Sequence, residues 1–281
     1  MIDKNDSQKE NQSYSKDFKE KLLFMRHGKT YFNSDKDKIS RLIDPKYPDC
    51  RLCPKGIEQA KSIAKMLNSL TLEKVYVSPL YRALETLNYC LEKYPNKENI
   101  IVIVHPLVSE GVNSINDFIL DIKQTKKDFN INSNIKIDWS VFDKYIKETQ
   151  YDENFYYFNN IDCLEEKEKN KIYHVLKNYY DNGDIQKLRN GLSDLAKLSH
   201  KKNKRLESLK HMQERFKKFC DYIREKHLDT LNDKNEKILV ISHCAFMKIG
   251  TDMTPYQSEK INEFHSTCYS PINCEIISYK L

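Results

Sequence analysis

Glycine is scarce in this chain of 281 residues, which contains only 6 of them. The glycines lie far apart, so the sequence has no Walker-type phosphate loop and no GxGxxG fingerprint. These absences exclude P-loop nucleotide triphosphatases and Rossmann-type dehydrogenases.

Long apolar segments are also missing. No run approaches the roughly 18 apolar residues of a membrane-spanning helix, and residues 1–20 lack the apolar core of a signal peptide. We therefore expect a disordered leader over 1–20, no membrane partner and a cytoplasmic location. In that compartment the 8 cysteines predict free thiols. Cys50 and Cys53 form a CxxC pair with no second pair to complete a zinc site, so no metal is predicted.

The charge of the chain is mildly basic and evenly mixed. The formal net charge is +6 and the pI is near 8.7, with lysines interleaved among acidic residues. A nucleic-acid partner is not expected, because no basic stripe or recognised binding module is visible. Hydrophobic residues make up 39% of the chain, enough for one large core over 21–281. The oligomeric state stays open.

Two short apolar runs each end in a histidine. Leu22–Met25 is followed by Arg26-His27-Gly28, and Ile238–Ile241 is followed by Ser242-His243. Buried strands in open α/β sheets place ligand crevices at their carboxyl ends, and neighbouring strands lie about 5 Å apart. Both histidines are therefore predicted to face one pocket. A cation beside a neutral imidazole suits an anionic electrophile such as a phosphate ester.

Two further strand-like runs end near the same edge. Residues 74–77 lead through Pro79 into a predicted helix whose first turn contains Arg82 and offers free backbone N–H groups to an anion. Residues 100–104 lead to Glu110, which brings a carboxylate to the site.

In this order and spacing, the chain resembles the histidine phosphatase superfamily, the phosphoglycerate-mutase-like fold. The matching pieces are Arg26-His27-Gly28-Lys29-Thr30 with Asn33, Leu52-Cys53-Pro54-Lys55-Gly56 with Gln59-Ala60, Ser78-Pro79-Leu80 with Arg82-Ala83 and Thr86, Pro106-Leu107 with Glu110, and Ser242-His243. They span about half of the chain.

The resemblance implies an α/β three-layer sandwich with a mostly parallel central sheet and a helical cap insertion at about 118–204. Its strands are expected at about 21–25, 74–77, 100–104, 237–242 and 274–279. The insertion either packs beside the sheet or lines the mouth of the pocket and selects the substrate.

The resemblance also assigns catalytic roles. His27 is expected to attack phosphorus while neutral and to form a phosphohistidine. Arg26 and Arg82 would clamp the phosphoryl oxygens, and His243 would donate a hydrogen bond to them.

Two side chains complete the expected site. Glu110 would protonate the leaving oxygen and then activate water, with Asp117 as the nearest alternative acid. Asn33 is a further ligand to the phosphate. No metal or organic cofactor is implied.

Three functions remain open on the sequence. The first is a phosphohydrolase acting on a phosphorylated small molecule or phosphoprotein, and the second is a mutase-type phosphotransferase. The third is an inactive scaffold, which the intact set of residues disfavours. A phosphatase is favoured over a mutase, because no second anion site is visible and the segment typical of glycolytic mutases is not recognisable. Lys29 and Ser109 also depart from the usual residues. Cys244, next to His243, is either a helix-start residue or a nucleophile.

Overall fold

The computed structural model describes residues 18, 20–95, 97–132, 135–202, 205–227, 236–251 and 271–281. The predicted leader at 1–20 falls almost entirely outside these residues. One mixed sheet forms the centre of the described part. Its strands are β1 (Leu22–Arg26), β2 (Thr71–Val77), β3 (Ile101–Val104), β4 (Lys136–Asp138), β5 (Glu236–Ser242) and β6 (Ile276–Tyr279).

Helices connect and cover these strands. The α-helices are α1 (Tyr31–Ser34), α2 (Pro54–Leu67), α3 (Tyr81–Cys90), α4 (Ile122–Asn132), α5 (Ser140–Lys147), α6 (Glu166–Asp181), α7 (Ile185–Lys202), α8 (Leu209–Lys226) and α9 (Cys244–Thr251). Short 3₁₀ turns lie at Ser40–Leu42, Lys97–Asn99, Pro106–Val108, Ile115–Asp117 and Glu153–Asn160. Within the described ranges, no helix combines the length and apolar character that crossing a bilayer requires.

The sheet has the order β4-β3-β2-β5-β1-β6, and only β6 runs antiparallel to its neighbour. The apolar runs of β1 and β5 are buried on both faces, as strands inside a parallel sheet must be. This arrangement confirms the predicted α/β class and the mostly parallel sheet.

The two faces of the sheet form separate cores. Leu23 and Met25 of β1 face a core that includes residues of α2 and α3. Leu22 and Phe24 alternate to the opposite face, where they pack with residues of α8 and α9. Helices on both faces give the three layers that the resemblance implies.

The segment 118–204 holds β4 and α4 to α7. Strand β4 extends the sheet beside β3, which the sequence analysis did not predict. Helix α7 contacts the loop after β1: the Arg189 guanidinium donates to the Pro45 carbonyl at 2.9 Å, and the Ser193 hydroxyl donates to the Ile43 carbonyl. The segment therefore supports a loop that borders the site described next.

Candidate active site

His27 and His243 lie side by side at the carboxyl edge of the sheet. Strands β1 and β5 pair in parallel with Arg26 opposite Ser242, so the residue after each strand reaches the same edge. The His27 amide donates to the Ser242 carbonyl at 3.0 Å, and the imidazole centroids are 5.1 Å apart. The two rings are neighbours, as the strand ends predicted, but only His27 lines the cavity.

The hydrogen bonds of His27 fix its tautomer. Its Nδ1 lies 2.7 Å from the Gly28 carbonyl oxygen, which can only accept, so Nδ1 holds the proton. Its Nε2 receives a hydrogen bond from Arg82 Nε at 3.3 Å, so Nε2 presents a lone pair. The sequence analysis could not name the partner that orients this ring, and the structure identifies it as the Gly28 carbonyl.

Burial keeps His27 neutral. Its pKa is held well below the usual value, first by burial and then by the positive charges of Arg82 and Arg26. A neutral imidazole with an unprotonated Nε2 is the form required of a nitrogen nucleophile.

Arg82 joins the two histidines. It lies in the first turn of α3 and is almost fully buried. Its Nε donates to both imidazoles, while its two terminal nitrogens donate to the Asn116 carbonyl at 2.6 Å and to Asp117 Oδ1 at 3.2 Å. Asp117 thus holds the guanidinium in place.

His243 has the opposite tautomer. Its Nδ1 accepts from Arg82 at 3.2 Å, so its Nε2 holds the proton and donates to the Ser78 hydroxyl at 2.7 Å. Burial holds its pKa well below the usual value. Both ring nitrogens are occupied and Nδ1 is unprotonated, so His243 donates to a phosphate through Nδ1 only after that nitrogen gains a proton. The cavity wall includes His27 but not His243.

The Glu110 side chain lies against the first turn of α9. Its carboxylate accepts from the backbone N–H groups of Gly111 at 3.0 Å, Ala245 at 3.1 Å and Phe246 at 3.2 Å. Asp117 is the more buried of the two acids, and burial raises its pKa to about 6. Both carboxyl groups line the cavity.

Arg26 and Asn33 also line the cavity, although each is partly engaged elsewhere. One terminal nitrogen of Arg26 donates to the Pro271 carbonyl at 2.6 Å, while its buried Nε has no partner. The side-chain oxygen of Asn33 accepts from Thr30, with which it forms a capping box at the start of α1. Asn33 therefore orients the loop after His27 besides bordering the cavity.

The cavity itself has a volume of about 510 Å³. Its wall contains all of the predicted site residues except His243. The wall residues that the sequence analysis did not select are Phe32, Lys38, Arg41, Leu42, Gly111, Asn113, Ser114, Asn116 and Arg205, with Cys244 and Ala245 at the start of α9. Their position depends on how loops fold over the sheet edge, and no motif marks them. Within the described residues, no group of three His, Cys, Asp or Glu side chains is placed to hold a metal ion.

Two side chains of the quoted motif support the site in roles that the sequence analysis did not assign. The hydroxyl of Thr86, which belongs to the quoted motif, accepts from the Gly28 amide at 2.9 Å. Ser78 positions His243. Cys244 is the first residue of α9, as one of the two sequence interpretations expected.

Known proteins support the same family. The sequence model of the histidine phosphatase superfamily, branch 1, matches residues 22–107. A probable phosphatase of Schizosaccharomyces pombe is 32% identical over 98 residues, which cover 34% of this chain and 43% of that protein. The chain thus matches less than half of that relative's length.

Solved structures with a similar outline are more distant in sequence. A phosphoglycerate mutase from Bacillus anthracis is 15% identical with a TM-score of 0.45, covering 92% of this chain and 87% of that chain. The ecdysone phosphate phosphatase of Bombix mori, solved with tungstate, is 15% identical with a TM-score of 0.41, covering 91% and 86%. Residues 22–107 of the chain are therefore similar in sequence to the histidine phosphatase superfamily, and this segment contains Arg26, His27 and Arg82 of the site.

Proposed function

We propose that this protein is a metal-independent phosphatase that hydrolyses a phosphate monoester through a phosphohistidine intermediate. The observation that supports this most directly is the state of His27. Its Nδ1–H is tied to a carbonyl, its Nε2 lone pair borders the cavity, and its pKa is lowered by burial and by two arginines.

In the first step, His27 Nε2 attacks phosphorus and the bond from phosphorus to the ester oxygen breaks. Arg82 Nε, which donates to both imidazoles in the free site, turns to a phosphoryl oxygen, and the unpartnered Nε of Arg26 binds another. The two guanidinium groups stabilise the negative charge that spreads over the phosphoryl oxygens. The positive charge that the reaction needs is therefore supplied by side chains of this protein.

Glu110 handles the proton. As general acid it protonates the departing oxygen, and as general base it takes a proton from the water that breaks the phosphorus–nitrogen bond. Its place in the cavity wall supports this role. Asn33 is proposed to add a hydrogen bond to the phosphate through its amide nitrogen, since its oxygen is engaged by Thr30. The insertion at about 118–204 is proposed to act as a cap.

Rapid-quench labelling tests the proposal. Turnover of a radiolabelled phosphate ester should leave an acid-labile label on the wild-type protein. His27→Ala should lose both the label and at least about a thousandfold in kcat/KM. His174→Ala, which removes an exposed histidine of α6, is the matched control and should retain both.

Two results would contradict the assignment. A label that persists in His27→Ala would make His243 the nucleophile. Absence of any turnover of aryl and alkyl phosphates by the wild-type protein would favour a scaffold, and transfer of phosphate to a second substrate molecule would favour a mutase.

A further inference from the structure

A second cavity lies between helices α5 and α8, beside the carboxyl end of β3. Its wall comes from the segment after β3, from α5, from the 3₁₀ turn at Glu153–Asn160 and from α8. Its volume is about 510 Å³, a size typical of small-molecule sites. No described residue lines both this α5–α8 cavity and the cavity at His27.

Helix α8 turns one polar and aromatic stripe towards the α5–α8 cavity. His211, Arg215, Lys218 and Tyr222 follow one another at four-, three- and four-residue steps, so they share one face of the helix. The apolar stripe of α8 packs on the sheet instead. The side chains of α8 that border the cavity are therefore not part of that apolar core.

Two buried side chains of the wall have unpaired polar atoms. His105 and Asn160 are each 3% exposed. His105 Nδ1 accepts from the Leu107 amide at 3.2 Å, and burial lowers the pKa of the ring to about 3, so Nε2 holds its only proton. Among the described residues, neither this Nε2–H nor the Asn160 side-chain amide has a hydrogen-bond partner.

These two groups face the α5–α8 cavity. Both keep some contact with solvent, and the cavity is where their residues reach it. Buried polar groups in folded proteins are nearly always paired. A ligand with an acceptor atom at His105 Nε2 would complete the pairing.

Aromatic side chains border the same deep part of the cavity. The Tyr222 ring packs edge-on against the His105 ring, with centroids 4.7 Å apart, and Tyr145 lines the cavity from α5. Both tyrosines are half-buried. Aromatic walls favour a flat ring in the ligand, and the His105 donor favours an acceptor atom on that ring.

Positive charge lies at the mouth, where Lys144 of α5 and Lys218 of α8 are exposed. Lys144 lies 3.9 Å from Glu148, while Lys218 forms no ion pair with another described residue. Arg215 is neutralised by Glu207, to which it donates at 2.9 and 3.0 Å. Lys218 is thus the cation that remains for an anionic group of a ligand.

Buried hydrogen bonds hold the floor of the cavity in place. Arg215 is 3% exposed and donates to the carbonyls of Leu107 at 2.6 Å and Ser109 at 2.8 Å. A wall that is already fixed loses little freedom when a ligand binds. The same arginine donates to the Glu110 carbonyl at 3.4 Å, so it also supports the segment that carries the proposed acid.

We propose that the α5–α8 cavity is a binding site for a small heteroaromatic anion. The ring of the ligand lies against Tyr145 and Tyr222, a ring acceptor bonds to His105 Nε2–H, and the negative group lies beside Lys218. This inference goes beyond the proposed function and does not depend on it, because no described residue of this wall is given a role in the reaction.

Three probe compounds separate the ring acceptor from the charge. Quinoline-6-carboxylate has both, naphthalene-2-carboxylate lacks the ring nitrogen, and quinoline lacks the carboxylate. Ligand-observed NMR titration measures their dissociation constants. We expect wild-type protein to bind quinoline-6-carboxylate about fivefold more tightly than naphthalene-2-carboxylate, as one buried hydrogen bond provides. The advantage over quinoline should be about threefold, as a partly screened ion pair provides. Equal binding of all three, or binding of none, would overturn the proposal.

Substitutions in the wall locate the site. Lys218→Ala should weaken quinoline-6-carboxylate about threefold and leave quinoline unchanged. Lys217→Ala is the matched control, because Lys217 is exposed on the same helix and does not line the cavity; it should bind like the wild type. His105→Phe keeps a ring and removes the donor, so it should abolish the preference for quinoline-6-carboxylate over naphthalene-2-carboxylate. Thermal unfolding without ligand shows whether each variant folds, and the two lysine variants decide alone if His105→Phe does not.

Competition with inorganic phosphate separates this cavity from the one at His27. Saturating phosphate should leave the affinity for quinoline-6-carboxylate unchanged, and so should His27→Ala. Displacement of the probe by phosphate, or an equal loss of affinity in Lys217→Ala and Lys218→Ala, would contradict the assignment. If the probes bind as expected but no phosphate ester is hydrolysed, the proposed reaction is wrong and this site stands.

Discussion

Single hydrogen bonds set the chemical difference between two neighbouring imidazoles. His27 is protonated on Nδ1 and His243 on Nε2, because a carbonyl fixes the first and Arg82 fixes the second. Only His27 borders the cavity. The asymmetry follows from partners that no strand-end pattern displays, so sequence reasoning located both rings but could not assign their protons.

The position of Glu110 gives a prediction that depends on the leaving group. Glu110→Gln removes the proton relay, so alkyl phosphates, which need protonation of the departing oxygen, should slow about a hundredfold or more. Nitrophenyl phosphate, whose leaving group needs no proton, should slow only a few-fold. Steady-state kcat/KM on both esters measures the difference.

The alternative acid is tested in the same assay. Equal slowing of both esters would give Glu110 a structural role at the start of α9. Asp117 would then be the acid, so the leaving-group dependence should appear in Asp117→Asn. In the unsubstituted protein the Asp117 carboxyl group accepts a hydrogen bond from Arg82. Glu58→Gln on the exposed face of α2 is the control for substitution of a carboxyl group by an amide.

The position of His27 depends on the contact between the loop after β1 and helix α2. The loop after β1 crosses the first turn of α2, and the Cys53 amide donates to the Lys29 carbonyl at 3.0 Å. A Cβ atom at Gly56 would lie 1.9 Å from the Lys29 carbonyl oxygen, and one at Gly28 would lie 2.6 Å from that of Gly56. Only glycine allows the two backbones to approach this closely.

Gly56→Ala should therefore displace the loop. We expect it to lower the free energy of unfolding by about 1–3 kcal/mol, as overpacking does, and to reduce kcat/KM on nitrophenyl phosphate. Urea unfolding and steady-state kinetics measure the two effects. Glu58→Ala, an exposed site in the same helix, should change neither. A Gly56→Ala protein with wild-type stability would show that the loop has room.

Elements with a strong hydrophobic pattern can be predicted from the sequence, and elements with a weak hydrophobic pattern cannot. Helix α8 (Leu209–Lys226) buries Leu209, Met212, Phe216, Phe219 and Ile223 at three- and four-residue steps, and Ser208 caps its start by accepting from the His211 amide. Strand β4 was missed since only Ile137 of its three residues is apolar. Its place in the sheet depends on pairing with β3, which is a tertiary effect.

Three buried histidines link the stability of the fold to pH. Burial holds the pKa values of His27, His105 and His243 below the usual value, that of His105 at about 3. When the pH falls below about 6.5, the unfolded chain binds protons at these positions and the folded chain does not. The free energy of unfolding should therefore decrease as the pH is lowered through this window. Asp117, whose raised pKa makes the folded state bind an extra proton below about pH 6, partly offsets the loss.

His105 isolates one part of this dependence. His105→Asn keeps an acceptor near the Leu107 amide and removes a titrating group. Between about pH 4 and 6, the slope of unfolding free energy against pH should drop by about 1.4 kcal/mol per pH unit. Phe219→Leu, at a ring that packs on His105, should lower stability without changing the slope. An unchanged slope in His105→Asn would mean that this histidine titrates in the folded state.

The pairing of β1 has a consequence for the order in which the protein is made. Its neighbours in the sheet are β5 and β6. The Arg26 side chain donates to the carbonyl of Pro271, which comes 245 positions later in the sequence. Asn273 closes the same loop by donating to the His27 carbonyl. During synthesis the four apolar residues of β1 leave the ribosome without a partner, and they stay so until most of the chain follows. Contacts this distant slow folding and expose apolar strands to misassembly. The edge of the sheet at which His27 and His243 meet is therefore complete only after β5 and β6 have been synthesised.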